Sequence, residues 1–401
     1  MHIGFLSFPG HGHVNPTLPI VEELVRRGHR VSYAITEEFV AAVEGAGATA
    51  LTIPGSPIPA MRGTDPARMA GRMQTMIDDA LAAFEPVAAA WSADPVDAIC
   101  YDNMFSTAPM LIEKLDVPGI AYNPSYASNE RYSPRQAMMS GFAGQDGGPE
   151  RFARMRELIG AASGRVAAFA EQQGVTPPAF FDATPEALNL VFIPKAFQPQ
   201  ADTFDDRFVF VGPDLGSRAD DDWRPAESDR PLLFISLGTA FNDRPEFFRS
   251  CIEAFGGGRW QVAMAIGRAT EVDDLGEIPD NFEIRPYFPQ PAVLRHADVF
   301  VSHTGMNSTM EALASGVPLV AVPQMPEQQM NAQQVDDLGL GRRLDTETVT
   351  AEQLRDAVTA VADDPQLRAR VADFATDLAR AGGATAAVDA IETHLSVPAP
   401  V

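Results

Sequence analysis

The sequence predicts an α/β protein built of two Rossmann-like domains, each a parallel sheet wrapped by helices. Three observations carry that expectation. Short apolar runs alternate with amphipathic stretches along both halves of the chain, as parallel strands joined by crossover helices require. The alternation breaks once, in GPDLGSRADDDWRPAESDRP (212–231), where prolines, glycines and acids follow no period, and then restarts. At 401 residues the chain also exceeds one ordinary core.

The expected strands of the first half are 2–8, 30–35, 49–53, 98–101 and 119–122; those of the second are 232–237, 260–266, 282–285, 298–301 and 319–322. After the first strand Asn15 is placed to cap a helix and Pro16 suits its first turn. Leu18, Val21, Leu24 and Val25 then form an apolar stripe. Two helices are expected near 350–381, and Val388, Ile391 and Leu395 mark a last one. The domain reading is 1–212, a linker at 213–230, 231–381, and a C-terminal helix and tail at 382–401, with a cleft between the domains.

Composition removes several classes of function. With 45% hydrophobic and 21% charged residues the chain is not disordered. No apolar run approaches the ~20 residues of a membrane span, and no basic, cleavable leader precedes the first strand, so a cytoplasmic protein is expected. Cys100 and Cys251 lie far apart in apolar segments and read as buried free thiols. The formal net charge of −24 argues against a nucleic-acid partner. It also requires any phosphate to be held by local dipoles and a few side chains, against the overall field. Asp220, Asp221 and Asp222 read as a solvated acid run, and no histidines have zinc spacing, so no metal ligands are assigned.

Two stretches carry chemistry: FPGHGHVNP (8–16) and SHTGMNSTMEA (302–312). Each follows an expected strand and opens a helix, the position where doubly wound sheets bind ligands. His13 has a side chain suited to base chemistry at neutral pH. Asp102 ends DAICYD (97–102), a strand that in a parallel sheet can finish on the same edge; a carboxylate there would fix the imidazole tautomer. The plainer readings are a loop-capping histidine and an N-cap for a helix over 104–115. His11 is an alternative base without an evident partner.

In the second stretch Gly305 allows close backbone approach, while Asn307, Ser308 and Thr309 place donors where a helix begins, a phosphate cradle. The competing reading is a capping box, Ser308-x-x-Glu311. Tyr287 is either a stacking platform for a base or core. ISLGT (235–239) can approach a phosphate closely, and Glu327 with Gln328 forms a natural pair for sugar hydroxyls or a solvated turn. No G-x-G-x-x-G and no Walker A motif occurs, which counts against dinucleotide and P-loop chemistry. Ten of the fifteen methionines fall within the first 155 residues. Those in 54–76 and 125–150 (Met61, Met69, Met73, Met76, Met138, Met139) either join the core or line a tolerant apolar pocket.

With these residues assembled, the chain resembles an inverting glycosyltransferase of the two-Rossmann (GT-B) type. It is similar to the bacterial macrolide family of UDP-glycosyltransferases. The resemblance runs from GHVNP through VFIPKAFQPQADTFDDRFVFVGP (191–213), SLGTAF, the Pro-Gln turn and HTGMNSTMEA to PQMPEQQMNA, in family order.

It implies an N-terminal acceptor-binding domain, a C-terminal nucleotide-sugar-binding domain and a final helix returning to the first. His13 would deprotonate the acceptor hydroxyl, oriented by Asp102. Tyr287, where plant relatives carry a tryptophan, and Gln290 would meet the base or ribose. His303, Asn307, Ser308 and Thr239 would hold the diphosphate, Glu311 the ribose, and Glu327 and Gln328 the sugar. The resemblance further implies a UDP-sugar donor, a hydrophobic small-molecule acceptor, no metal or other cofactor, and a monomer or weak homodimer. A nucleotide-sugar epimerase or a non-catalytic nucleotide-sugar-binding protein of the same architecture are the alternatives.

Overall fold

The computed structural model describes residues 1–56, 66–143, 148–178, 185–220, 222–226, 229–238, 242–346 and 348–396. Among them the chain forms two parallel sheets. The first contains β1 (His2–Leu6), β2 (Arg30–Ile35), β3 (Thr49–Thr52), β4 (Ala98–Asp102), β5 (Gly119–Asn123), β6 (Asn189–Val191) and β7 (Phe208–Phe210), in the order β3-β2-β1-β4-β5-β6-β7. The second contains β8 (Leu232–Ser236), β9 (Gln261–Ala265), β10 (Phe282–Arg285), β11 (Ala297–Ser302), β12 (Leu319–Ala321) and β13 (Gly341–Arg343), in the order β10-β9-β8-β11-β12-β13. The α/β architecture read from the alternation is therefore correct. β6, β7 and β13 were not expected: each is three residues long, too short for a periodic signal.

In each sheet the first strand lies centrally and the order reverses beside it. β1 pairs with β2 on one side and β4 on the other, with Leu6 opposite Tyr101. β8 pairs with β9 and β11, with Ser236 opposite Ser302. These are the topological switch points, where adjacent βα turns diverge and leave room for a ligand at the strand carboxyl ends.

The described residues divide into two compact units: one comprises 1–56, 66–216 and the segment from Ala381, and the other Ser217–Arg380. In the first, β1 and β2 send Ile3, Phe5, Tyr33 and Ile35 into a core shared with Val21 and Leu24 of the helix Leu18–Arg26. Ala387, Val388 and Ile391 of the helix Gly383–Ser396 complete that core, so the C-terminal helix belongs to the first unit. Asp214 Oδ2 accepts from Ala384 N at 2.9 Å and caps the returning helix. On the opposite face Phe84, Val87 and Trp91 of the helix Pro66–Ala93 pack with Ile99 and Met110. In the second unit Phe234 and Phe300 stack at 4.8 Å across β8 and β11.

Local readings changed in three places. The helix after β1 begins at His11 with Gly10 at its N-cap, and Asn15 falls in a 3-10 turn (Asn15–Thr17) rather than capping. The methionine-bearing connections are partly helical, in Pro66–Ala93, Pro134–Ala143 and Gly148–Gln173. Met73 packs against the core and Met76 and Met138 are half-buried, while Met61 and the side chains of Met69 and Met139 lie outside the described set. The expected linker is not simply solvated either. Trp223 is buried, 5.9 Å from the Phe288 ring centroid in the second unit. The cysteine reading is unchanged: Cys100 and Cys251 are buried free thiols, and burial pushes both up in pKa. No helix among the described residues is long and apolar enough to cross a membrane.

Candidate active site

At the first switch point His13 sits in the opening turn of the helix His11–Val14, and Asp102 is the last residue of β4. His13 Nδ1 lies 2.6 Å from Asp102 Oδ2. The carboxylate is fully buried and the imidazole 23% exposed, so the pair has one dry end and one reachable end. Asp102 Oδ1 meanwhile accepts from Met104 N at 2.8 Å. It therefore bridges the turn as well as the histidine, but it caps no helix: the next one is Ala108–Leu115, with Thr107 at its N-cap.

Burial, and in smaller part the field of Asp102, keeps the neighbouring phenols neutral, raising Tyr33 to about 12 and Tyr122 well above its ordinary value. The Phe8 ring packs edge-on against His13 at 4.9 Å. His11 is 54% exposed, and the carboxylate of Glu38, 3.8 Å away, is itself exposed. A short bond to a buried carboxylate holds one imidazole nitrogen protonated and leaves Nε2 as the basic position.

At the second switch point the chain leaves β11 through Ser302, His303 and Thr304 and enters the helix Met306–Ala314 with Gly305 at its N-cap. Ser308 is thus the third helical residue, not the cap, and the capping-box reading fails: no side chain caps this helix. Thr309 N bonds Gly305 O at 2.9 Å, so the N–H groups of the preceding residues point out of the helix start, as an anion site requires. Asn307 and Ser308 remain partly exposed there. Thr309 does not: it is buried and its hydroxyl donates to Gly305 O at 3.0 Å.

His303 is buried, and desolvation lowers its pKa from 6.5 to about 4, so the ring is neutral at pH 7 and still carries one N–H. Its Nδ1 has no hydrogen-bond partner among the described residues. The ring lies between the two turns: a Cβ on Gly238 would stand 2.6 Å from it and one on Gly305 2.5 Å, so both positions require glycine. Thr239, the next expected contact, lies outside the described residues.

Thr304 adopts φ 58, a left-handed conformation rare for a β-branched residue. Its neighbours hold it there. Thr304 N donates to Ser302 Oγ at 3.0 Å, Asn331 Nδ2 donates to Thr304 O at 2.9 Å, and Thr304 Oγ1 donates to His303 O at 2.6 Å and Gln328 O at 3.1 Å. Such strain costs about 1–3 kcal/mol and concentrates at functional turns. The helix Pro326–Asp337, which carries Glu327 in its first turn, thereby braces the turn into Met306–Ala314. Gln328 Oε1 accepts from Gln324 N at 2.8 Å, which ties down that side chain.

Gln290 Nε2 donates to Ser308 Oγ at 3.1 Å and to Glu311 Oε2 at 2.6 Å, bringing three expected residues together. Tyr287 is 66% exposed while adjacent Phe288 is buried, so the core reading belongs to Phe288 and Tyr287 presents its ring outward. Sequence reasoning gave no role to Ser302 and Thr304, inside SHTGMNSTMEA, or to Asn331, inside PQMPEQQMNA, which brace the turn, nor to Arg218, which pairs with Glu311. Among the described residues no group of three or more His, Cys, Asp or Glu is placed to hold a metal ion.

Residues 260–392 match the family of the erythromycin biosynthesis protein CIII-like C-terminal domain. Over 98% of its length the chain is 42% identical to NDP-glycosyltransferase YjiC of Bacillus subtilis, covering 97% of that protein. The chain belongs to the bacterial macrolide-type GT-B glycosyltransferases. This glycosyltransferase is also 36% identical to the oleandomycin glycosyltransferase of Streptomyces antibioticus, over 98% of the chain and 91% of that protein. The crystal structure of CalG4, the calicheamicin glycosyltransferase, is similar over 100% of this chain and 99% of its own, with a TM-score of 0.83 and 34% identity. The protein is therefore an enzyme that transfers a glycosyl group, and the epimerase and non-catalytic readings are not favoured.

Proposed function

We propose that this glycosyltransferase moves a hexose, glucose from UDP-glucose, onto a hydroxyl of a hydrophobic small molecule such as a macrolide, flavonoid or other polyketide or phenol, with inversion at the anomeric carbon. The observation that carries the reading is the 2.6 Å contact between His13 and buried Asp102 at a switch point of the sheet. His13 Nε2 takes the acceptor proton as the acceptor oxygen attacks the anomeric carbon from the face opposite the diphosphate. The bond from the anomeric carbon to the β-phosphate oxygen breaks, and UDP leaves with that electron pair. Asp102 stabilises the imidazolium that forms. General base catalysis of this kind is worth about 10²–10⁴-fold.

The departing diphosphate would be met by the N–H groups at the start of Met306–Ala314, by Asn307 and Ser308, and by the neutral N–H donor of His303, with Thr239 as a further contact. Glu311 would take the ribose hydroxyls, Tyr287 and Gln290 the base or its sugar, and Glu327 and Gln328 the hexose. The unit Ser217–Arg380 would thus bind the donor and the other unit the acceptor. These donors supply the leaving-group stabilisation without a metal, so EDTA treatment is expected to leave the initial rate unchanged; a rate restored only by Mg²⁺ would contradict it. A cytoplasmic monomer or weak homodimer serving natural-product chemistry or antibiotic resistance fits the same reading.

The test is His13→Ala. It should retain UDP binding by calorimetry while transfer to a phenolic acceptor falls by about 10²-fold or more. Turnover at the parental level would remove His13 from the mechanism.

A further inference from the structure

Arg218 lies in the 3-10 turn Gly216–Asp220, within the stretch that sequence reasoning treated as a linker. Its Nη1 donates to Glu311 Oε1 at 2.9 Å, while Gln290 Nε2 donates to the other oxygen, Oε2, at 2.6 Å. The carboxylate side chain is only 6% exposed and the guanidinium 23%, so the pair is largely withdrawn from water. Arg218 thus compensates the burial of this carboxylate, and with Gln290 it fixes the plane of the group from both ends.

An ionised carboxylate offers about four acceptor positions. Two are used by these protein donors, one on each oxygen, and one remains on each. Two acceptors held side by side in a fixed plane match a vicinal diol.

We propose that Arg218 is a positioning residue for donor binding: by pairing with Oε1 of Glu311 it aims the remaining lone pairs of that carboxylate at the 2′- and 3′-hydroxyls of the donor ribose. The inference rests on the ribose role given to Glu311. It adds to that role a residue from outside every nucleotide motif, and it makes the turn after Gly216 part of the donor site. A lysine can supply the charge but not the planar fork, so Arg218→Lys should restore only part of the effect.

The test is a binding cycle on both protein and ligand, read by calorimetry with UDP and 2′,3′-dideoxy-UDP. Arg218→Met keeps the aliphatic stem, and its dideoxy-UDP binding reports whether the fold is intact. The variant should bind UDP about tenfold more weakly, as loss of a charged hydrogen bond implies, with dideoxy-UDP binding unchanged. In a Glu311→Gln background the same change should add less than about twofold, because the two residues act as one unit. Equal losses for both nucleotides, or full additivity with Glu311→Gln, would overturn the proposal. If the parent protein itself binds UDP and dideoxy-UDP equally and Glu311→Gln is harmless, the ribose role of Glu311 is wrong, and the positioning role of Arg218 falls with it.

Discussion

Burial sets the character of the histidine in each unit's switch-point turn. Asp102 has no access to water, and His13 beside it is 23% exposed; in the proposed reaction that asymmetry would orient the imidazole as the base. His303 works the other way. Burial holds it neutral, with a pKa of about 4 against 6.5 in an unfolded chain. Between those values the unfolded chain binds a proton that the folded one does not. Its contribution to stability is therefore complete above pH ~6.5 and is lost as pH falls toward ~4, a change of roughly 3 kcal/mol. Denaturant titrations at a series of pH values should show this acid slope in the parent and a shallower one in His303→Asn. Equal slopes would mean that the ring is hydrated.

The helices matter for what they brace. Pro326–Asp337 sends Asn331 to the carbonyl of Thr304 and so keeps a strained turn in the shape that exposes the next helix start. Gly383–Ser396 closes the core of the first unit from the far end of the chain, tied by Asp214 at its start and by Arg27, which contacts Asp389 at 2.6 Å and Glu392 at 2.8 Å. The exposed ion pairs contribute little; the buried apolar face contributes most. Ile391 is fully buried there, so Ile391→Ala should destabilise the protein by about 2–5 kcal/mol. A melting curve checks this, and an unchanged midpoint would show that the helix is dispensable to the core.

For the molecule as a whole, the governing number is the net charge of −24. A compact chain with this excess repels itself, and salt screens the repulsion within a Debye length of about 10 Å at 0.1 M. Raising NaCl from about 10 to about 200 mM should raise the melting temperature; a fall would indicate that exposed ion pairs outweigh the repulsion. Against that field the proposed diphosphate site would rely on neutral donors, namely peptide N–H groups, Asn307, Ser308 and an uncharged His303, since Arg218 is already paired to Glu311.

The sequence by itself determined the α/β class, the two sheets, and the two βα turns with His13 as places of interest; the family resemblance, carried by its motifs, added His303 and a ligand role for Glu311. Each of these is a local pattern of apolar period, glycine placement or motif. It left open whether Asp102 capped a helix or met an imidazole, whether Ser308 capped its helix, and whether Tyr287 was core. It gave no role to Arg218, Thr304 or Asn331, although each lies in a stretch it read. Those questions turn on contacts between residues far apart in the chain: 13 with 102, 218 with 311, 304 with 331. Only folding decides them, because burial and hydrogen-bond partners belong to the packed sheet edges and not to any window of sequence.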